Sequence, residues 1–135
     1  PEEKVLRKHI QQNRLPRSPR IGSVSDPMSV YAQASVLLMT STYEGWGLVV
    51  SEAQSQGVVP IAFDSSAGLR ELLGEDSAYG ILVPPFDMEA YADSLLRLCT
   101  NEDLRCRLAR AAIEHSKQYT PEQNASRWEQ LFGRL

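Results

Sequence analysis

The residues of this sequence whose types could do chemistry together lie in Ser41-Thr42-Tyr43-Glu44-Gly45-Trp46-Gly47-Leu48-Val49-Val50-Ser51-Glu52-Ala53. Gly45 and Gly47 let the backbone come close to a ligand, and a helix is predicted to begin at Gly47 or Leu48. The first N–H groups of a helix have no intrahelical acceptor, and the helix dipole adds partial positive charge, so such a turn suits an anion such as a phosphate. Glu44 falls in the loop at the mouth of this turn and Glu52 in the second turn of the helix. A carboxylate accepts two hydrogen bonds at once, which suits a pair of sugar hydroxyls. The same residues admit two other readings. One is a turn glycine beside two surface glutamates. The other is a glycosidase pair, with Glu44 as acid and Glu52 as nucleophile or base. The helix-flank position of Glu52 and the lack of an aromatic cleft weigh against the second.

The elements that must position this segment alternate between helix and strand, which points to an α/β fold with a parallel sheet. A helix is predicted over 2–13, ended by Leu15-Pro16-Arg17-Ser18-Pro19. Arg20–Val24 reads as a short strand that bends at its glycine, and Asp26-Pro27 as the cap and first residue of a helix to about Ala34. Val36-Leu37-Leu38-Met39 reads as a strand buried on both faces. The helix after Gly47 should stop at Gly57. Val58–Phe63 is the next strand, and its Pro60 suggests a strand end or an edge. A polar turn at 64–68, a short helix at 69–73 and a strand at 80–83 complete the sheet region. Beyond it, Asp87 caps a helix whose apolar side carries Leu95, Leu96 and Leu98. Thr100-x-x-Asp103 reads as a capping box for a helix to about 118, and Thr120-Pro121 opens a last helix with Trp128, Leu131 and Phe132 at core-facing spacing. The plan is one domain over 1–135, a partial Rossmann-like three-layer sheet to about residue 86 and a helical tail from 87. A complete doubly wound sheet opens on a strand and its ligand-binding turn. Here the first element is a helix and Pro1 stands without a Met, so the chain is expected to be an N-terminally truncated domain.

Composition narrows the classes. The 135 residues, 42% hydrophobic and 23% charged, are those of a globular domain with one core. No apolar run reaches the roughly 18 residues of a membrane span. The net charge of −3 is unevenly laid out, with six cations against two acids in residues 1–20 and ten acids against Arg70 and Arg97 in 21–100. The basic stretch reads first as a solvated helix face and is compatible with an anionic lipid surface. It holds no aromatic residue, so nucleic acid is not expected as a partner. Cys99 and Cys106 have no zinc or redox spacing and are expected to be small core or half-buried residues in a reducing cytosol. His9 and His115 lie in charged helical patterns and read as surface side chains without a role.

Glu44-Gly45-Trp46-Gly47-Leu48-Val49-Val50-Ser51-Glu52-Ala53, with its Glu-x7-Glu spacing, resembles the signature of the retaining group 1, or family four, glycosyltransferases. Ala34-Ser35-Val36 resembles that family's entry to the strand, and Gln56-Gly57-Val58-Val59-Pro60-Ile61-Ala62 its "G-x-P-V-I-A" segment. Gly68-Leu69-Arg70-Glu71 resembles its "G-x-x-E" turn and Gly80-Ile81-Leu82-Val83 its "G-x-L-V" strand. The match runs in register from about Arg20 to Phe132.

The resemblance implies the C-terminal half of a GT-B fold, in which two Rossmann-like domains face a cleft and the second binds a UDP- or GDP-linked sugar. Glu52 is then expected to hold the ribose hydroxyls, and Glu44 to position the transferred sugar as the catalytic-site acid. The backbone at Gly45, Trp46, Gly47, Leu48 and Val49 is expected to hold the diphosphate, and Ile21–Ser23 to border the base. No metal and no separate cofactor are implied. The acceptor, a carbohydrate or lipid-linked saccharide, would sit on an N-terminal domain at the cytoplasmic face of a bacterial membrane. The family's Arg and Lys that clamp the diphosphate lie upstream of this chain, and Ser66-Ala67-Gly68 departs from its usual glycine pair. Alone, the chain is expected to be inactive. Two alternatives stand beside the transferase: a non-catalytic GT-B-like scaffold and a sugar-nucleotide epimerase.

Overall fold

A computed structural model describes residues 2–12 and 22–133. Its elements run α1 (Glu2–Gln12), α2 (Pro27–Tyr31), β1 (Val36–Met39), α3 (Leu48–Ser55), β2 (Val59–Phe63), α4 (Ala67–Leu73), β3 (Ile81–Val83), α5 (Met88–Thr100), α6 (Glu102–Ser116) and α7 (Pro121–Phe132), with a 3-10 turn at Lys117–Tyr119. The three strands are parallel in the order β1-β2-β3, with Val36 opposite Val59 and Ile61 opposite Ile81. The expected strand at 20–24 does not form over its described part, Gly22–Val24, and Arg20 and Ile21 lie outside the described residues.

Alternation along β2 divides the core. Val59, Ile61 and Phe63, with Val83, point to one face and pack on Tyr91 and Leu98 of α5 and on Leu104 and Leu108 of α6. Ala62, with Met39, points to the other face and meets Val50 of α3 and Leu69, Leu72 and Leu73 of α4. A strand buried on both sides reads as a continuous apolar run, and β2 is buried at every position.

The helices that follow the last strand pack back on the sheet: α5 and α6 form the third layer, and Tyr91 anchors it by donating its hydroxyl to the Ile61 carbonyl at 2.9 Å. Helix α6 then continues beside α3, with Ile113 against Gly57 and His115 meeting the Glu71 carbonyl of α4. On α5 the apolar side is Tyr91, Leu95 and Leu98, while Leu96 is exposed.

Two strand expectations also change. β1 is an edge strand, with Leu38 49% exposed, so its run is not buried on both faces. Pro60 sits in the central strand, one residue in from its start, so the strand-end reading holds and the edge reading does not. Val59 donates its N–H to Ser35 on the β1 side, so the next nitrogen along faces β3, whose pairing begins one residue later at Ile61. The missing donor of Pro60 therefore costs no ladder bond.

Caps follow side-chain chemistry. Asp26, Asp87 and Thr120 accept from the third residue onward, as expected, and Gly57 takes a left-handed φ of 74° after α3. At the start of α6 the cap is Asn101, whose side chain accepts from Leu104, and not Thr100, which is still inside α5 and bonds back to Leu96. Trp128, Leu131 and Phe132 of α7 are exposed and not in the core, with Trp128 and Phe132 stacked on each other at 5.6 Å.

Candidate functional site

The loop from Thr40 to Gly47 leaves the C-terminal end of β1 and turns into α3. Gly47 is the pivot. Its φ of 86° is left-handed, a conformation strained for any residue with a Cβ, and its side is packed against Leu69. The Val50 and Ser51 amides both bond to the Gly47 carbonyl. The Leu48 and Val49 amides have no acceptor among the described residues, and no side chain caps this helix. Two free donors and the positive end of the α3 dipole therefore face the loop, as anion binding requires.

Helix α4 braces the loop from the far side. Ser66 caps α4 by accepting from Leu69 and also donates to the Gly45 carbonyl at 3.3 Å. Gly68, two residues on, lies so near that a Cβ there would collide with the Gly45 oxygen and stand 2.8 Å from Trp46 Cα. Close backbone approach thus demands a glycine at 68, within the Ser66-Ala67-Gly68 stretch that departs from a glycine pair.

The Trp46 side chain lies edge-on to Tyr119, with ring centroids 5.1 Å apart. Tyr119 donates to Glu71 Oε1 at 3.1 Å, and burial together with that carboxylate pushes its pKa up to about 12. His115 stacks on Tyr79 at 3.7 Å, bonds to the Glu71 carbonyl through Nε2 and meets Gln118 at Nδ1. It is half-buried in this column and not the surface histidine its charged neighbours suggested.

Both glutamates flank the α3 start. Glu44 is half-buried in the loop, with no hydrogen-bond partner for its carboxylate among the described residues. Glu52, half-buried on α3, accepts from the Tyr31 hydroxyl at 3.2 Å. The segment thus holds Glu44, Gly45, Trp46, Gly47, Leu48, Val49 and Glu52 on one loop–helix turn.

Sequence reasoning missed Tyr31, Tyr119 and Gln54. Gln54 is fully buried and ties α3 to α4 by donating to the Leu72 carbonyl at 2.7 Å and to that of Tyr79 at 2.9 Å. A glutamine within the apolar stripe of α3 was the available signal. Cys99 and Cys106 are exposed, not core residues, because they fall on the outer faces of α5 and α6. No cluster of potential metal ligands occurs among the described residues, and no described helix is long and apolar enough to cross a membrane. A separate depression of about 580 Å³ lies beside the β3 end, walled by Asp64, Arg70, Glu75 and Pro84; it contains neither glutamate of the loop. Arg70 there is held by Asp64 at 2.7 Å.

The family model described as glycosyl transferases group 1 matches residues 1–115. The amylovoran biosynthesis glycosyltransferase AmsD of Erwinia amylovora is 35% identical over 133 residues, 97% of this chain and 37% of that protein. The crystal structure of TarM superposes with a TM-score of 0.82 at 26% identity, covering 96% of this chain and 26% of TarM. The C-terminal domain of a group 1 glycosyl transferase, LpcC of Francisella tularensis, has a TM-score of 0.74 at 24% identity over 88% of this chain and 63% of that domain; it bears on the fold alone. The chain spans little more than a third of the AmsD relative's length. With its three-stranded parallel sheet sandwiched as in the C-terminal half of GT-B proteins, the chain belongs to the group 1 glycosyl transferase family.

Proposed function

We propose that this chain forms the donor side of a retaining glycosyltransferase, binding a UDP- or GDP-linked sugar for transfer to a carbohydrate or lipid-linked acceptor. The observation that carries the reading is the start of α3, where a left-handed Gly47 leaves the Leu48 and Val49 amides free between Glu44 and Glu52. In this reading the diphosphate sits on those amides, Glu52 accepts from the ribose diol, and Glu44 accepts from hydroxyls of the transferred sugar.

The chemistry needs little covalent help from the protein. As the C1–oxygen bond of the donor breaks, its electron pair passes to the diphosphate and positive charge spreads over the sugar ring. Fixed N–H donors aimed at the growing negative charge lower that barrier, since they need no reorganisation as the bond breaks. Glu44 orients the sugar and does not attack it. The acceptor hydroxyl arrives from outside this chain, so transfer needs the remainder of the protein and the 135 residues alone transfer no sugar.

Calorimetry and steady-state kinetics of the full-length protein with UDP-glucose and GDP-mannose test the assignment. Glu52→Gln is expected to weaken donor binding about tenfold, the worth of a charge-assisted hydrogen bond. Glu44→Gln is expected to depress kcat more than affinity, and the transferred sugar to keep its anomeric configuration. No heat with either donor would favour the scaffold alternative. Inverted product would exclude retention, and sugar transfer by the isolated chain would overturn the division of labour.

A further inference from the structure

Tyr31 lies on α2, 8% exposed, in the small apolar cluster that joins α2 to Ala53 of α3 and to Val58. That cluster needs only the ring; a phenylalanine would fill it equally well. The hydroxyl reaches out of the cluster and donates to Glu52 Oε2 across 21 positions of sequence. Burial and the Glu52 carboxylate both raise the Tyr31 pKa, so the hydroxyl keeps its proton and remains a donor at neutral pH. No other side chain among the described residues bonds the Glu52 carboxylate. A carboxylate offers about four acceptor sites. Tyr31 occupies one of them on Oε2 and leaves the rest to a ligand. A glutamate on an open helix face samples several rotamers, and ordering them on binding costs affinity. A glutamate pinned by a rigid, packed phenol has been ordered by the fold already.

We propose that Tyr31 is a positioning residue: its hydroxyl fixes the Glu52 carboxylate in the orientation that accepts the ribose diol, and so sets discrimination between ribonucleotide and deoxyribonucleotide donors. The proposal rests on the assignment of Glu52 to the ribose. Tyr31 itself touches no ligand. Its effect is therefore confined to the share of binding that comes from the diol, and a merely structural tyrosine has no such selectivity.

The test is calorimetry of the full-length protein with UDP and 2′-deoxy-UDP, and with GDP and 2′-deoxy-GDP. Wild type, Tyr31→Phe, Glu52→Gln and the double variant are compared. Tyr31→Phe is expected to weaken the preferred ribonucleotide by about two- to tenfold, the cost of ordering one free side chain on binding, and to weaken its deoxy analogue, which keeps only one hydroxyl of the diol, less. In the Glu52→Gln background the second substitution is expected to add nothing. Donor KM should rise in Tyr31→Phe while kcat stays within about twofold, because binding and not bond breaking is affected. Tyr31→Met, which also fills the cluster without a hydroxyl, repeats the comparison should Tyr31→Phe not fold. Equal losses for ribo- and deoxyribonucleotide, or an unchanged ribonucleotide affinity, overturn the proposal while the donor assignment stands. A wild-type protein that binds none of the four nucleotides removes the donor assignment and this proposal with it.

Discussion

Gly45 and Gly68 separate what the fold needs from what a ligand needs. A Cβ on Gly68 would collide with the Gly45 carbonyl oxygen and stand 2.8 Å from Trp46 Cα and 3.1 Å from its carbonyl oxygen. All three obstacles are backbone atoms, so no rotamer change relieves them. Ordinary contact begins near 3.4 Å, which requires α4 and the loop to part by about 0.6 Å at Trp46 and by more at Gly45. Overpacking of this kind costs about 1–3 kcal/mol. A hydrogen-bond donor displaced by roughly 1 Å no longer reaches its acceptor. Gly68→Ala is therefore expected to lower the melting temperature by about 2–8 °C and to weaken donor binding together. Gly45→Ala is the converse. Among the described residues, nothing beyond its two chain neighbours lies within 4 Å of the added methyl, and the backbone there is not left-handed. Its stability should be unchanged or rise by about 0.4–1 kcal/mol, through the loss of freedom in the unfolded chain. A diphosphate held close against this backbone would meet the methyl, so binding should fall with no fall in melting temperature. Differential scanning fluorimetry and calorimetry with UDP-glucose and GDP-mannose on the full-length protein read both quantities. Wild-type affinity in Gly45→Ala would refute the close approach, and wild-type melting in Gly68→Ala would refute the packing argument.

Other perturbations probe the supports of the loop. Gln54→Leu strips the Leu72 and Tyr79 carbonyls of their donor and should cost about 2 kcal/mol in denaturant unfolding. Trp46→Phe keeps an aromatic edge for Tyr119 and the same backbone, so donor affinity measured by calorimetry should stay within about twofold. Tyr119, raised to about 12 in the folded protein from an ordinary 10.0, holds its proton where the unfolded chain has lost it. Its contribution to stability is whole below pH 10 and is lost as pH rises toward 12, so alkaline unfolding should be shallower in Tyr119→Phe when followed by circular dichroism.

The glycine turn into α3 and the two glutamates beside it were legible because their logic is local: glycines, a helix start and acids within nine residues. The caps at Asp26, Asp87 and Thr120 were legible for the same reason. What the sequence concealed is long-range. Tyr31 reaches Glu52 across 21 positions and Tyr119 reaches Glu71 across 48, and no periodicity announces either contact. Pro60 left a strand end and an edge open, and the long-range pairing decides between them: it lies at the start of the central strand, and β3 pairs only from the next residue. Helices α5 and α6 follow the last strand in sequence, and only the fold shows that their Tyr91, Leu98, Leu104 and Leu108 complete the core against β2. The apolar stripe of α7 predicted burial, but Trp128 and Phe132 are exposed and stacked on each other.

The central claim is that the start of α3 holds a diphosphate, and amide chemical shifts read it most directly. In a 15N-labelled full-length protein titrated with UDP and with GDP, the Leu48 and Val49 amides should move downfield and saturate together. Glu52→Gln should shift that saturation to higher nucleotide concentration. Leu48 and Val49 amides that stay in place while nucleotide binds elsewhere, for instance in the depression beside Arg70, would contradict it.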